Sequence, residues 1–247
     1  MSPNLVQRLS AEALGTLLLV YFGVAATLAA TGGSIGIAAA YAFGLALAVW
    51  IFAGVSGAHV NPTVTIALAV RGRFAWTDVP GYVLAQVVGG VLAGLLAWGT
   101  YGGGGVDAGL GGTVVAGSAT VVVALVVEAL AAFLVVLAYY TLITEERMER
   151  GLAGLGVGLA YGTAILALAP ITGASANFAR TFGVEVSLAF GGGTTHWADL
   201  WIYAVGPLVG GILAVFVYDV LIAGRPLLAP TSRPAASRGS GTATAAA

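Results

Sequence analysis

Few residues of this chain carry chemistry, and most of them stand in apolar surroundings. Asn61 is followed by Pro62, and a second asparagine, Asn177, is followed by Phe178, Ala179 and Arg180. An asparagine before a proline starts a helix, because the amide is a strong N-cap and proline suits the first helical position. Arg180 adjoins apolar stretches, where an arginine costs at least about 2.5–3.5 kcal/mol and points to function. Its ordinary alternative is a side chain snorkelling from a helix end. Glu12 and Glu128 lie within apolar runs, a setting in which paired carboxylates are open to proton relay. Ser56 and His59 are a conceivable nucleophile and base for an intramembrane protease, but no third group orients the base. There is no cysteine, and His59 and His196 are the only histidines. Disulfides, thiolate sites and a multi-histidine metal centre are thereby excluded. No metal, no cofactor and no enzymatic activity is expected.

The elements that position these residues follow from composition. Of 247 residues 59% are hydrophobic and 8% charged, with a mean hydropathy of +1.00. Soluble domains carry about 25% charged residues, so the expected partner is the lipid bilayer. A net charge of −1 without a basic stripe excludes nucleic acid. Six continuous apolar stretches, 9–30, 35–58, 80–101, 118–144, 152–171 and 197–223, reach the roughly 20 residues that cross a ~30 Å core. Continuous runs argue against a β-barrel, whose strands alternate, and no cleavable signal peptide is visible. Two shorter stretches, 61–70 and 177–190, are half-length helices that enter and return. The expected fold class is an all-α membrane protein of six spans and two half-helices.

The chain repeats itself. Ala11-Glu12-Ala13-Leu14 answers Val127-Glu128-Ala129-Leu130, and Asn61-Pro62-Thr63 answers Asn177-Phe178-Ala179, both offset by 116. Gly89-Gly90-Val91-Leu92-Ala93 answers Gly210-Gly211-Ile212-Leu213-Ala214 at an offset of 121. Three spans per repeat, over 8–101 and 118–223, make the second copy upside down. Two half-helix N-termini then meet near the midplane, each carrying about half a positive charge. Non-helical backbone at that depth must be buried or line a wet cavity, and the asparagine amides can donate to a passing oxygen. Residues 102–117, with eight glycines in sixteen positions, read as a flexible crossover. Residues 1–223 read as one membrane-embedded domain, and 224–247 read as a disordered cytoplasmic tail. With both termini inside, eight of the nine arginines are cytoplasmic and only Arg180 lies outside, as the positive-inside rule requires. Glu145, Glu146, Arg147, Glu149 and Arg150 read as a solvated cytoplasmic loop.

The two asparagine segments resemble those of the aquaporins and glycerol facilitators. The first runs Ala53-Gly54-Val55-Ser56-Gly57-Ala58-His59-Val60-Asn61-Pro62-Thr63-Val64-Thr65, the second Thr172-Gly173-Ala174-Ser175-Ala176-Asn177-Phe178-Ala179-Arg180-Thr181-Phe182-Gly183. Trp201-Ile202-Tyr203-Ala204-Val205-Gly206-Pro207 resembles the family's last span. Exclusion of cations by the positive ends of paired half-helices is the recognised behaviour of aquaporin-type pores. The resemblance implies that Asn61 and Asn177 lie at the pore midplane and that Pro62, Thr63, Phe178 and Ala179 start the half-helices. It makes Arg180 the constriction arginine, with Tyr41, Ile165 and Ala174 as the other constriction positions; Phe43 before Gly44 is a second aromatic candidate. Glu12 and Glu128 become acceptors for backbone N–H groups of the non-helical loops, and His59 a loop-packing residue. The chain departs from the family's pattern at Thr63, usually alanine, and at Phe178, usually proline, so the half-helix contact differs at the midplane.

Strict water channels have Phe and His in the constriction; here Ile165 replaces the histidine, which brings the chain nearer to archaeal methanogen-type aquaporins and plant nodulin-like intrinsic proteins. Thr181, where dedicated glycerol facilitators have an acid, argues against that subgroup. The expected function is a passive channel for water and small neutral solutes such as glycerol, excluding protons and ions, in a homotetramer of the cell membrane. The alternative is an ion-coupled secondary transporter, which shares inverted repeats and broken helices and would need Glu12 or Glu128 as its coupling acid.

Overall fold

The computed structural model of the protein describes residues 2–30, 32–145 and 150–226. Its α-helices are α1 (Leu5–Ala29), α2 (Gly33–Ser56), α3 (Pro62–Val70), α4 (Val79–Asp107), α5 (Val121–Thr144), α6 (Ala153–Thr172), α7 (Phe178–Gly191) and α8 (Leu200–Val217). A π-turn over Tyr218–Ile222 continues α8. Among the described residues, six helical segments are long and apolar enough to cross a membrane, with mean hydropathies of 1.7 to 2.9. Large apolar side chains such as Phe22, Trp50, Leu130, Leu166, Trp201 and Leu213 stay about half exposed on the outside. A bundle as apolar outside as inside is solvated by hydrocarbon. α3 and α7 have nine and fourteen residues, about 14 and 21 Å at the helical rise.

Within each repeat the first helix packs on the other two: α1 on α2 and α4, and α5 on α6 and α8. The repeats join through α2 against α6. The half-helices are exchanged, α3 resting on α8 and α7 on α4. Small residues allow these approaches. A Cβ at Gly89 would strike the Ala13 carbonyl, and one at Gly210 the symmetry-equivalent Ala129 carbonyl, the close backbone contact typical of membrane helices.

The expected spans agree with the helices to within a few residues, with one correction. The stretch 102–117 is not a flexible crossover throughout. α4 continues past a bend at Gly102 (φ 60°) to Asp107, and a 3-10 turn follows over Gly109–Gly111. Glycine weakens a helix by about 1 kcal/mol per residue. Here Val106 and Leu110 enter an apolar cluster with Val20, Val24, Val184 and Leu188, and that burial overrides propensity. The outer part of the proposed tail, 227–247, and the loop residues Glu146, Arg147 and Glu149 lie outside the described residues.

The far end of α3 is anchored by charge. Arg71 Nε meets Asp219 Oδ2 at 2.6 Å, with both side chains buried. Tyr140 donates its hydroxyl to the same carboxylate. Arg225 bridges Asp219 at 2.7 Å and Glu145 at 2.7 and 2.8 Å, tying α3, α5 and the end of α8 together. Asp219, Glu185 and Glu145 are three buried acids beyond the Glu12 and Glu128 pair recognised from the sequence, and Glu145, expected in a solvated loop, is instead held by Arg73 and Arg225.

Candidate functional site

The site begins where α3 and α7 start. Asn61 and Asn177 are their N-caps: Asn61 Oδ1 accepts from Thr63 N–H at 2.9 Å, and Asn177 Oδ1 from Ala179 N–H at 3.1 Å. With each oxygen committed to a cap, each Nδ2 is the donor end. Asn61 Nδ2 donates to the Ala176 carbonyl at 2.8 Å, and Asn177 Nδ2 to the Val60 carbonyl at 2.9 Å. The caps therefore cross-link the loops preceding the opposite half-helices. An amide nitrogen has two N–H groups, so each asparagine keeps one for another acceptor.

The loops that place these caps are strained in matched positions. Gly57 and Gly173 end α2 and α6 with φ of 95° and 81°, where glycine is at ease. Ala58, Val60, Ala174 and Ala176 also have positive φ, 44° to 53°, at a cost of order 1–3 kcal/mol each. Buried carboxylates compensate by satisfying the buried loop amides that the non-helical backbone leaves unpaired. Glu12 accepts from Ser56 Oγ, the His59 and Val60 amides and Gln86 Nε2, at 2.6 to 3.0 Å. Glu128 accepts from Thr172 Oγ1 and the Ser175 and Ala176 amides, at 2.6 to 2.9 Å. Tyr82 donates to the Ser56 carbonyl and Tyr203 to the Thr172 carbonyl, at 2.8 and 2.7 Å.

Ser56 and His59 are not paired. Ser56 Oγ donates to Glu12, whereas His59 Nδ1 lies 3.0 Å from Thr65 Oγ1. Thr65 Oγ1 accepts from Gln86 Nε2 and donates to the Asn61 carbonyl. His59 Nδ1–H is then the donor in this network, which leaves Nε2 as the ring's acceptor. The ring itself packs against Phe74, Tyr82 and Tyr139. These contacts correct the protease alternative.

A narrow cavity of about 10 Å³, room for about one water molecule, lies beside both caps. His59, Asn61 and Asn177 give it a polar stripe, and Leu19, Leu45, Val64, Val135 and Val157 give it apolar walls. The candidate constriction residues do not line this cavity. Tyr41, Ile165 and Ala174 are buried in one apolar cluster. Arg180, also buried, donates from Nε and Nη2 to the Tyr41 hydroxyl at 3.1 and 2.8 Å. Phe43, by contrast, is 57% exposed on the outside of the bundle. Phe178 stacks on Phe182 one turn along α7, with centroids 5.5 Å apart.

Sequence reasoning missed Gln86, Tyr82, Tyr203, and the hydroxyl chain Thr113–Thr181–Ser175, linked at 2.8 and 2.6 Å. The offset of 121 pairs Tyr82 with Tyr203 and was the available signal. Gln86 had none, because Pro207 stands at its equivalent position.

The sequence pattern that defines the major intrinsic proteins matches residues 1–218. The chain belongs to this family. Aquaporin NIP1-2 of Oryza sativa subsp. japonica is 35% identical over 230 residues, covering 90% of this chain and 73% of that protein. A probable aquaporin AqpM of Archaeoglobus fulgidus is 35% identical, covering 90% and 99%. A glycerol uptake facilitator protein-like 6 of Lactiplantibacillus plantarum is 32% identical, covering 85% and 96%. The fold matches the aquaglyceroporin from Plasmodium falciparum with a TM-score of 0.78 over 90% of this chain and 98% of that one, at 23% identity. This major intrinsic protein is an integral, multi-pass membrane channel for passive passage of water and small solutes, and nothing in fold or family supports the ion-coupled alternative.

Proposed function

We propose that the pore passes water together with a slower flux of glycerol or similar neutral solutes, and excludes protons and ions. The observation that carries this reading is the crossed pair Asn61–Ala176 and Asn177–Val60 beside one cavity. Two helix N-termini converge there, and each amide retains an N–H for a permeant oxygen. The apolar walls offer no competing partner, so water oxygens turn towards the caps while the converging dipoles oppose cations. Glu12 and Glu128 support the loops: their oxygens are occupied by loop donors, which leaves no carboxylate free to couple an ion.

In this reading Arg180, Tyr41, Ile165 and Ala174 form the constriction, Arg180 supplying donors and a positive barrier. Ile165 gives an apolar wall where a strict water channel has a polar ring. Residues 1–223 are the channel domain with both termini cytoplasmic, and the family resemblance supports a homotetramer with one pore per protomer in the cell membrane. A stopped-flow series on proteoliposomes with water, glycerol and urea tests the reading. Water flux with slower glycerol flux is expected, and Ile165→His should suppress glycerol while sparing water. Exclusion of glycerol by the wild type, or an unchanged solute ratio in Ile165→His, counts against this constriction.

A further inference from the structure

The two caps reach one backbone conformation by different means. Asn61 (φ −158°, ψ 122°) precedes Pro62, whose ring drives the residue before it into extended backbone. Asn177 (φ −149°, ψ 104°) holds nearly the same pose before Phe178, which imposes no such restriction. Something else must hold it. The hydrogen bonds to the two cap carbonyls differ as well. Asn61 O accepts from the Thr65 amide at 3.1 Å and from Thr65 Oγ1 at 3.2 Å. Asn177 O accepts from the Thr181 amide at 3.3 Å, and its shorter bond, 2.9 Å, comes from Ser175 Oγ.

That hydroxyl is the last link of an oriented chain. A carbonyl can only accept, so the Ser175 proton is committed to Asn177 O. In the 2.6 Å contact between Ser175 Oγ and Thr181 Oγ1, Thr181 is therefore the donor. Its proton is then spent, which makes Thr113 the donor in the 2.8 Å contact between Thr113 and Thr181. Every proton points from Thr113 towards the cap. A carbonyl cannot hand a proton on, so the chain orients and does not relay. Thr113 is 2% exposed and follows the 3-10 turn Gly109–Gly111 in the crossover. A Cβ at Gly173 would strike its Cα, Cβ and Cγ2, and Ala116 N–H donates to the Ile171 carbonyl at 2.9 Å. This part of the crossover is thus keyed onto the end of α6 and the second loop. In the first half the corresponding hydroxyl, Thr65, is fed from within that half, by His59 and Gln86.

We propose that Thr113 is a positioning residue of the pore: through Thr181 and Ser175 the crossover sets the Asn177 backbone, as Pro62 sets that of Asn61. This rests on the reading above of the Asn177 amide as a donor to permeant water, and deepens it. The amide projects from that backbone while its Oδ1 caps Ala179, so a cap that drifts carries the donor away from the cavity it lines. The segment that joins the two halves thereby takes part in conduction.

The test reads osmotic water flux per folded channel for full chains in proteoliposomes, with the channels counted by quantitative immunoblot. Thr113→Val keeps the shape against Gly173 and removes the hydroxyl. It should lower the flux roughly fivefold, the weight of one net hydrogen bond, whereas Thr113→Ser should stay within about twofold of wild type. The deciding arm adds Phe178→Pro. With proline confining Asn177, Thr113→Val should cost less than about twofold relative to Phe178→Pro alone. Unchanged flux in Thr113→Val, or an equal loss with and without Phe178→Pro, overturns the proposal, since Thr113 would then act by packing alone. Where Thr113→Val does not fold, Ser175→Ala removes the other end of the chain and should show the same loss and the same rescue. If neither folds even with Phe178→Pro, or if Phe178→Pro alone does not fold, the chain holds the fold and not the cap, and the proposal fails. Wild-type flux at the lipid background defeats the reading of Asn177 as a pore donor as well. Wild-type conduction with no effect at Thr113 or Ser175 defeats this proposal alone.

Discussion

The two inverted halves build one scaffold and hang different residues on it. In each, a buried glutamate holds a strained loop, an asparagine caps a half-helix, and a tyrosine grips the carbonyl of Ser56 or Thr172. The differences lie at equivalent positions. Arg180 corresponds to Val64, Phe178 to Pro62, Ser175 to His59, and Pro207 to Gln86. Val64 lines the central cavity, whereas Arg180 is bound to Tyr41 beyond its lining. Symmetry thus supplies the midplane, where both halves must do the same thing. At this position its breaking leaves a buried arginine on one side only, the constriction arginine of the proposed reading.

Removing the shared part should have the largest effect. Glu12→Ala leaves four donors buried and unpaired, at about 1–3 kcal/mol each, comparable to the 5–15 kcal/mol that holds a typical protein together. No folded protein is expected by size-exclusion chromatography in detergent. Glu128→Ala strands three donors and should behave the same way; a stable, conducting Glu12→Ala variant would refute the loop-support role.

Replacing Arg180 with its counterpart tests the asymmetric part. Arg180→Val should keep water flux and raise proton or cation leak roughly tenfold, since a fixed charge in a low-dielectric pore is poorly screened. Dye-loaded vesicles report the leak, and an unchanged value in a folded variant would contradict the barrier role. A smaller change brings the first half closer to the second. Gln86→Leu leaves Glu12 with a hydroxyl and two amides, the set that Glu128 already has, and should cost about 1–2 kcal/mol in thermal or denaturant stability. The smallest effect is expected from Phe178→Pro. Proline suits this first helical position, so stability should stay within about 1 kcal/mol of wild type while unitary water permeability changes. Loss of folding would show that the Phe178–Phe182 stack is a structural wedge.

The parts legible in the sequence were those written locally or written twice. Continuous apolar runs gave the spans, and the offset of 116 gave two opposed half-helices with Asn61 and Asn177 at their starts. Hidden parts depend on contacts between distant residues. Tyr41 and Arg180 are 139 positions apart; the resemblance alone sets them in one constriction, and nothing in either neighbourhood encodes the hydrogen bonds between them. Asp219 looks like the polar end of a last span until Arg71, 148 positions earlier, is found against it. The glycine run before Asp107 was misread because local propensity opposes a helix, and only the burial of Val106 and Leu110 sustains one.

The central claim is that the crossed asparagine caps make a path for water and not for protons. The direct test is simultaneous measurement of osmotic water flux and internal pH in proteoliposomes holding the full chain, with an imposed proton gradient. Water flux well above that of protein-free liposomes, with no added proton flux and no dependence on the gradient, is the predicted result. Water flux equal to the lipid background, or water movement that follows the proton gradient, would contradict it.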